Sequence, residues 1–328
     1  MQVLLTNSLF FHQKYGGVSR YASALIKSLI DEKVDLKIIS PLFKNNYLQK
    51  IKEVKKYGIY IPRYPKSIIL RHINNFFNNY LKKNLNSNLI HNLYYPETEN
   101  FLQKKTILTI HDTIHEKYSH MYNFDYFNFR KKIIQNTDLL ICVSEKTKND
   151  VIELYQVPEN KIFVTPHGFD HLSYIEIEDL KKDKIFEKPF ILYVGGRYKY
   201  KNFSLLSKAF SKSQKIKDNF NIICFGGEKI SDSEKKNFKN LGIENKIIEL
   251  RGDDKLLKSL YLKTNLLVST SEYEGFGINV LEALSLDCPI LANKIEVFQD
   301  IFKDSILYYE HNNEDSLIFN LENNIYNS

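Results

Sequence analysis

The stretch that most constrains the fold is the apolar run Leu266-Leu267-Val268-Ser269-Thr270. It enters a turn containing Gly275 and Gly277 and leaves as a helical pattern over residues 278–286. A short buried strand feeding a helix through a glycine turn is the building unit of parallel α/β sheets, because parallel neighbours must be joined by a crossover. The same order recurs twice. Residues 3–6 lead through Gly16 and Gly17 to an apolar helical face at 22–30, and residues 190–194 lead into Gly195 and Gly196. Further strands are expected at 36–40 (stopped by Pro41), 89–95, 106–110, 139–143, 222–225, 247–250, 289–292 and 306–309. Helices are expected at 125–136 and at 146–155, the second capped by Ser144. A chain of 328 residues has room for two such domains.

The chemistry gathers at the turns. A helix that starts in small residues offers unpaired N–H groups to an anion such as a diphosphate. Glu274 stands in the turn and Glu282 about two helical turns further on. Two carboxylates flanking such a helix start suit a ligand with hydroxyls at both ends and a diphosphate between them, which describes a nucleotide-sugar. A glycine turn is equally the ordinary corner of any α/β protein, and glutamates beside a helix are usually solvated, so spacing alone leaves both readings open. After Gly195-Gly196 come Arg197, a planar fork for phosphate oxygens, and Lys201, a compact charge; a solvated basic turn is the alternative. His111 follows the strand at 106–110, where ligands of such sheets bind, although a structural histidine fits there as well. Gly16-Gly17 lacks the third glycine of a dinucleotide fingerprint.

The run Glu274-Gly275-Phe276-Gly277, with Glu282-Ala283 completing it, resembles the E-x7-E motif of the retaining glycosyltransferases of family 4. The resemblance implies the GT-B fold: α/β, two Rossmann-like doubly wound domains facing a cleft. It implies an acceptor-binding domain at 1–170, a linker at 171–188 and a nucleotide-sugar-binding domain at 189–328. The segment Pro166-His167-Gly168-Phe169-Asp170 resembles the family's close of the first domain. The chain stops at Ser328, so the family's C-terminal crossover helix is expected to be short or missing. In the family the first glutamate, here Glu274, binds donor-sugar hydroxyls and the second, Glu282, binds the ribose. Arg197 and Lys201 match the pair that holds the diphosphate. Gly16 and Gly17 match a loop that closes over the donor, and His111 a histidine near the transferred sugar. Arg20 is a further candidate for phosphate or acceptor contact, and Asp112 for acceptor contact.

The implied function is retaining transfer of a hexose-type sugar from a nucleoside-diphosphate sugar to a hydroxyl of a glycan or lipid-linked acceptor, in bacterial surface polysaccharide or lipopolysaccharide synthesis. A nucleotide-sugar epimerase or phosphorylase on the same fold is the alternative, as is a catalytically silent protein that binds glycans or a partner. No D-x-D triplet occurs, so neither a metal nor any cofactor beyond the donor substrate is expected.

Composition sets the remaining bounds. Residues 1–170 carry 24 Lys/Arg against 15 Asp/Glu, a balance of +9, whereas 171–328 carry 22 against 24, a balance of −2. A basic first domain suits an anionic membrane surface or an acidic lipid-linked substrate. Nucleic acid ranks lower, because no nucleic-acid motif appears. Residues 44–88 read as polar and irregular except for one basic amphipathic piece. There Ile73, Phe76, Phe77, Tyr80, Leu81 and Leu85 share a helical face, with Arg71, Lys82 and Lys83 around it. Such a face more often packs on the domain core than on a membrane. Cys142, Cys224 and Cys288 each lie in apolar runs and read as core thiols. With no secretory leader or membrane-spanning run, a cytoplasmic protein is expected, peripheral at the inner face of the membrane.

Overall fold

The computed structural model describes residues 2–65, 67–98, 104–122, 125–168, 172–180, 184–197 and 199–325. Its contacts divide the chain into two units, Met1–His167 and Gly168–Ser328.

The first unit runs β1 (Gln2–Thr6), α1 (Leu9–His12), α2 (Gly17–Asp31), β2 (Asp35–Phe43), α3 (Asn46–Lys50), β3 (Lys55–Tyr60), α4 (Ile68–Asn84), β4 (Leu89–Asn92), β5 (Lys105–Ile110), α5 (Ile114–Lys117), α6 (Tyr126–Gln135), β6 (Leu139–Cys142), α7 (Glu145–Tyr155) and β7 (Ile162–Val164). Its sheet has the order β3-β2-β1-β4-β5-β6-β7, parallel throughout. The second unit runs β8 (Phe190–Val194), α8 (Phe203–Lys212), α9 (Gln214–Asn219), β9 (Asn221–Phe225), α10 (Asp232–Asn240), β10 (Ile247–Leu250), α11 (Asp254–Lys263), β11 (Leu266–Ser269), α12 (Ile278–Leu284), β12 (Ile290–Asn293), α13 (Glu296–Phe302), β13 (Leu307–Tyr309) and α14 (Glu314–Asn324). Its parallel sheet is ordered β10-β9-β8-β11-β12-β13.

Both sheets follow the 3-2-1-4-5-6 order of dinucleotide-binding domains, so each has one point where the chain reverses direction across the sheet. That point lies between β1 and β4 in the first unit and between β8 and β11 in the second. Helices cover the faces, and the strands are correspondingly apolar along their length. Leu192, Ile223 and Leu267 face one layer of the second unit, while Ile191, Ile222 and Val268 face the other. The three cysteines are buried free thiols, and burial pushes each thiol pKa up to about 12.

Several local expectations are corrected. Pro41 does not stop β2, which continues to Phe43. Pairing with β1 ends at Ile39, and the register with β3 shifts between Ile39 and Leu42, so the proline sits at an irregularity where its missing N–H costs nothing. The stretch 44–88 is not irregular, because α3 and the edge strand β3 precede α4 within it. The apolar face of α4 is not packed inward: Ile73, Phe76, Phe77 and Tyr80 are exposed, whereas Lys82 is buried. Leu81 and Leu85 alone of that face pack on the core, against Leu4, Ile39 and Ile90. The expected linker is sewn to the second unit. Leu172, Leu180 and Phe186 are buried in its core, and Lys258 Nζ donates to the carbonyls of Ser173 (3.1 Å) and Ile175 (2.7 Å). Phe169 and Asp170, the end of the motif at 166–170, lie outside the described residues.

Candidate functional site

The second unit gathers its predicted residues at the reversal point, where β8 and β11 lie side by side. β8 ends in Gly195-Gly196-Arg197, and a turn at 199–201 carries Lys201. Three bonds hold that turn against the end of β11. Thr270 Oγ1 donates to the Lys201 carbonyl (2.8 Å), Glu272 N–H to the Tyr200 carbonyl (2.7 Å) and Asn202 Nδ2 to Glu272 Oε1 (2.9 Å). The buried Tyr193 hydroxyl adds bonds to the carbonyls of Gly196 (2.9 Å) and Lys201 (3.1 Å). Its pKa stands well above 10, chiefly through burial, with Glu274 raising it further and Arg197 opposing.

Lys201 Nζ is ion-paired with Glu274 Oε1 across this junction. Arg197 is buried and held from two sides: Nε donates to Glu234 Oε1 (2.9 Å) and Nη2 to the Glu228 carbonyl (2.5 Å). Its third nitrogen, Nη1, is buried without a hydrogen-bond partner. A guanidinium N–H left unpaired in a buried site is costly, and a phosphate oxygen is the acceptor whose geometry it fits. Burial by itself would raise the pKa of Glu234. The Ser231 N–H and Arg197 outweigh it and hold the carboxyl below its ordinary range, so Arg197 keeps a charged anchor.

The turn after β11 is shaped by Gly277, at φ +97°, the residue preceding α12. A side chain there would run into the Phe298 ring. No side chain caps the start of α12. Gly275 lies in the same turn, and Phe276 is buried. Glu282 is buried on α12, where its Oε2 accepts from the Tyr261 hydroxyl (3.0 Å), and Asn279 Nδ2 reaches the Val194 carbonyl (3.3 Å). The structure therefore brings Arg197, Lys201, Glu274 and the glycine turn to one end of one sheet. Glu282 lies one helical turn deeper, in a hydrogen-bonded, protein-lined position.

In the first unit His111 is buried at the end of β5, its Nε2 donating to the Leu93 carbonyl (3.0 Å). It stacks on His167 (5.7 Å between centroids, 11° between planes), and Tyr21 meets both rings edge-on at 4.9 Å. Burial pushes the pKa of His111 down to about 4, against a small opposing pull from the Leu93 carbonyl and Asp112. Burial and then His111 push His167 down to about 3. Nearby His91, bonded to Thr109 Oγ1 (2.9 Å), is lowered to about 4 by burial and then by His111. His111 is thus a neutral ring whose Nε2 proton is already engaged. His91 and His167 complete a cluster that sequence reasoning missed; the histidine within the segment at 166–170 was the available signal.

Gly16 precedes α2, Gly17 opens it, and no side chain caps that helix. Arg20 is turned onto Tyr47, with Nη2 donating to the hydroxyl (2.9 Å). Asp112 Oδ1 accepts from the Ile114 N–H (3.1 Å) and shapes its own loop. Glu116 is structural: buried Arg130 grips it at 3.0 and 3.1 Å, and the Tyr155 hydroxyl donates to it at 2.6 Å. At the first unit's reversal point a polar pocket is lined by Thr6, Ser8, Asn75, Asn78, Lys82 and Asn92. Burial lowers the Lys82 ammonium pKa to about 8 there. Among the described residues no group of three or more His, Cys, Asp or Glu side chains could hold a metal ion.

Two doubly wound parallel sheets, each with its polar residues at the reversal point, define a GT-B architecture. Solved structures of that architecture superpose along the chain. WaaG, a glycosyltransferase involved in lipopolysaccharide biosynthesis, matches with a TM-score of 0.75 at 16% identity, over 99% of this chain and 90% of that one. Anabaena HepE in complex with UDP and glucose matches at 0.75 and 13%, over 98% and 89%. In sequence, the family described as Glycosyltransferase Family 4 matches residues 15–171, and Glycosyl transferases group 1 matches 175–323. The chain belongs to the family 4 glycosyltransferases. The O-antigen chain mannosyltransferase RfbU of Salmonella typhimurium is 27% identical over 203 residues, 58% of this chain and 52% of that protein. The α-1,3/1,6-mannosyltransferase ALG2 of Saccharomyces cerevisiae is 30% identical over 197 residues, 48% and 39% of the two. The chain spans about half the length of the curated relatives it matches.

Proposed function

We propose that this protein is a retaining glycosyltransferase. In this reading it moves a hexose-type sugar from a nucleoside-diphosphate sugar to a hydroxyl of a glycan or lipid-linked acceptor, at the cytoplasmic side of a bacterial membrane, during surface polysaccharide synthesis. One observation carries the reading: a buried Arg197 with Nη1 unsatisfied, beside the Lys201–Glu274 ion pair, at the reversal point of the second sheet. The O-antigen mannosyltransferase among its relatives supports the polysaccharide setting.

The donor diphosphate takes the open Nη1 of Arg197 and competes for Lys201. Glu274, released from Lys201, then accepts hydrogen bonds from hydroxyls of the sugar, and Glu282 serves the ribose. As the bond from the anomeric carbon to the diphosphate oxygen breaks, negative charge grows on the leaving group, and the two cations stabilise it. The acceptor oxygen bonds to the anomeric carbon on the same face, and its proton passes to the departing diphosphate. No protein base is needed. In the first unit, His111 offers a neutral ring as the candidate for positioning a substrate hydroxyl.

The test is to supply the protein with nucleotide-sugars and hydroxyl acceptors and to read the product's anomeric configuration by NMR. The reading expects retention and full activity in EDTA. An inverted product contradicts it, as does activity lost in EDTA and restored by manganese.

A further inference from the structure

Helix α4 is amphipathic in the reverse sense for a domain surface. Its polar face turns inward and is bonded there. Asn74 Oδ1 accepts from the Leu42 N–H (2.9 Å), Asn79 Nδ2 donates to Thr98 Oγ1 (3.0 Å) and Lys82 Nζ donates to Asn92 Oδ1 (3.1 Å). Lys104 Nζ closes the C-terminal end on the carbonyls of Lys82 (2.8 Å) and Leu85 (2.7 Å). These bonds fix the rotation of the helix, so its apolar side cannot turn into the core without stranding buried amides. That side is left outward: Ile69 is 67% exposed, Phe76 66% and Tyr80 55%, with Ile68, Ile73 and Phe77 beside them. Six large apolar side chains along one helix exceed what the surface of a soluble monomer ordinarily shows.

Charge says what covers this face. Residues 44–84 carry ten Lys/Arg and a single acidic residue, Glu53. Removing them from the 24 Lys/Arg and 15 Asp/Glu of residues 1–170 leaves 14 against 14. The whole basic excess of the first 170 residues therefore sits on the segment that bears the apolar face. Beside α4, Glu97 is already engaged by Arg71 Nε (2.9 Å) and Asn75 Nδ2 (2.8 Å). Outward apolar side chains with cations around them match a surface that is anionic above and hydrocarbon below. The helix has 17 residues, and no helix among the described residues is long and apolar enough to cross a membrane.

We infer that α4 lies flat on an anionic lipid bilayer, with Ile69, Ile73, Phe76 and Tyr80 among the acyl chains and exposed cations of the segment, Lys55, Arg63 and Lys83, at the headgroups. Lys83, exposed on the same side, extends its charge up to the headgroup level while its stem stays in the apolar layer.

The chain contains no tryptophan, so a Phe76→Trp variant carries a single fluorescent reporter on this face. Phosphatidylcholine vesicles with and without about a third phosphatidylglycerol are added to the full chain, in low and high salt. The inference expects blue-shifted emission, quenched by brominated acyl chains, with anionic vesicles only and weakened at high salt. It also expects at least a tenfold loss of vesicle flotation in Ile69→Ser/Phe76→Ser with an unchanged circular dichroism spectrum. Emission indifferent to vesicles of either composition overturns it and leaves the face to an acidic protein partner. A wild-type dimer that the double serine variant abolishes, with no vesicle binding, overturns it in favour of a second copy of this chain.

Discussion

Arg197 and Lys201 are both cations within one turn of sequence, yet the fold treats them differently. Arg197 is buried and anchored to Glu234, 37 residues away, and to the Glu228 carbonyl, with one nitrogen unsatisfied. Lys201 is partly exposed and spends its charge on Glu274. The residue types and their position after a glycine pair were legible in the sequence. Their partners were not, because an anchor on α10 or in the turn before it has no local signature. The two sites should therefore fail differently. Arg197→Ala leaves Glu234 facing an empty space, so it should lower kcat by roughly 10²- to 10³-fold and also lower the melting temperature. Lys201→Ala should lower kcat to a similar extent with a smaller effect on melting. Steady-state kinetics beside a thermal melt checks both, and equal melting losses would contradict the difference in anchoring.

At the scale of elements, the strand–turn–helix units could be read from the sequence because each repeats one apolar pattern over a short span. β3 could not: Lys55-Lys56-Tyr57-Gly58-Ile59-Tyr60 is an edge strand without alternation, held by its pairing with β2. The orientation of α4 was equally hidden. Helical periodicity identifies an apolar face but not which face turns inward, and here asparagines bonded to β2 and to Thr98 decide it. The turn before α12 is sensitive to a single methyl group. Gly277→Ala combines a left-handed backbone with a collision against Phe298, and should cost about 1–3 kcal/mol of stability in denaturant unfolding.

The histidine cluster gives the first unit a pH dependence. Unfolded histidine titrates near 6.5, whereas burial holds His91 and His111 near 4 and His167 near 3. Between those values the unfolded chain binds protons that the folded chain refuses. Stability present above pH 6.5 is therefore lost as pH falls towards 4, at about 1.4 kcal/mol for each tenfold change in proton affinity. Urea midpoints measured from pH 7 to 4.5 should fall, and His111→Gln should flatten the slope. A midpoint independent of pH over that range would remove the cluster from the account.

At the scale of the whole molecule, two units repeat one topology and place polar residues at the same topological position, the carboxyl ends of the strands flanking the reversal. The parallel α/β class followed from the recurring strand–turn–helix order, and the GT-B class from the resemblance at residues 274–283. Where each unit keeps its charge also follows from the sequence, but what that charge serves depends on side-chain orientation, visible only once the chain is folded. In the proposed function the second unit grips a nucleoside diphosphate through Arg197 and Lys201. Its most direct test is calorimetric titration of the full chain with UDP and GDP and their sugar derivatives, alongside Arg197→Ala and Lys201→Ala. One saturable site is expected for at least one nucleotide, weakened at least tenfold in each variant. Binding that both variants retain at wild-type affinity, or no binding of any nucleotide by the wild type, would contradict it.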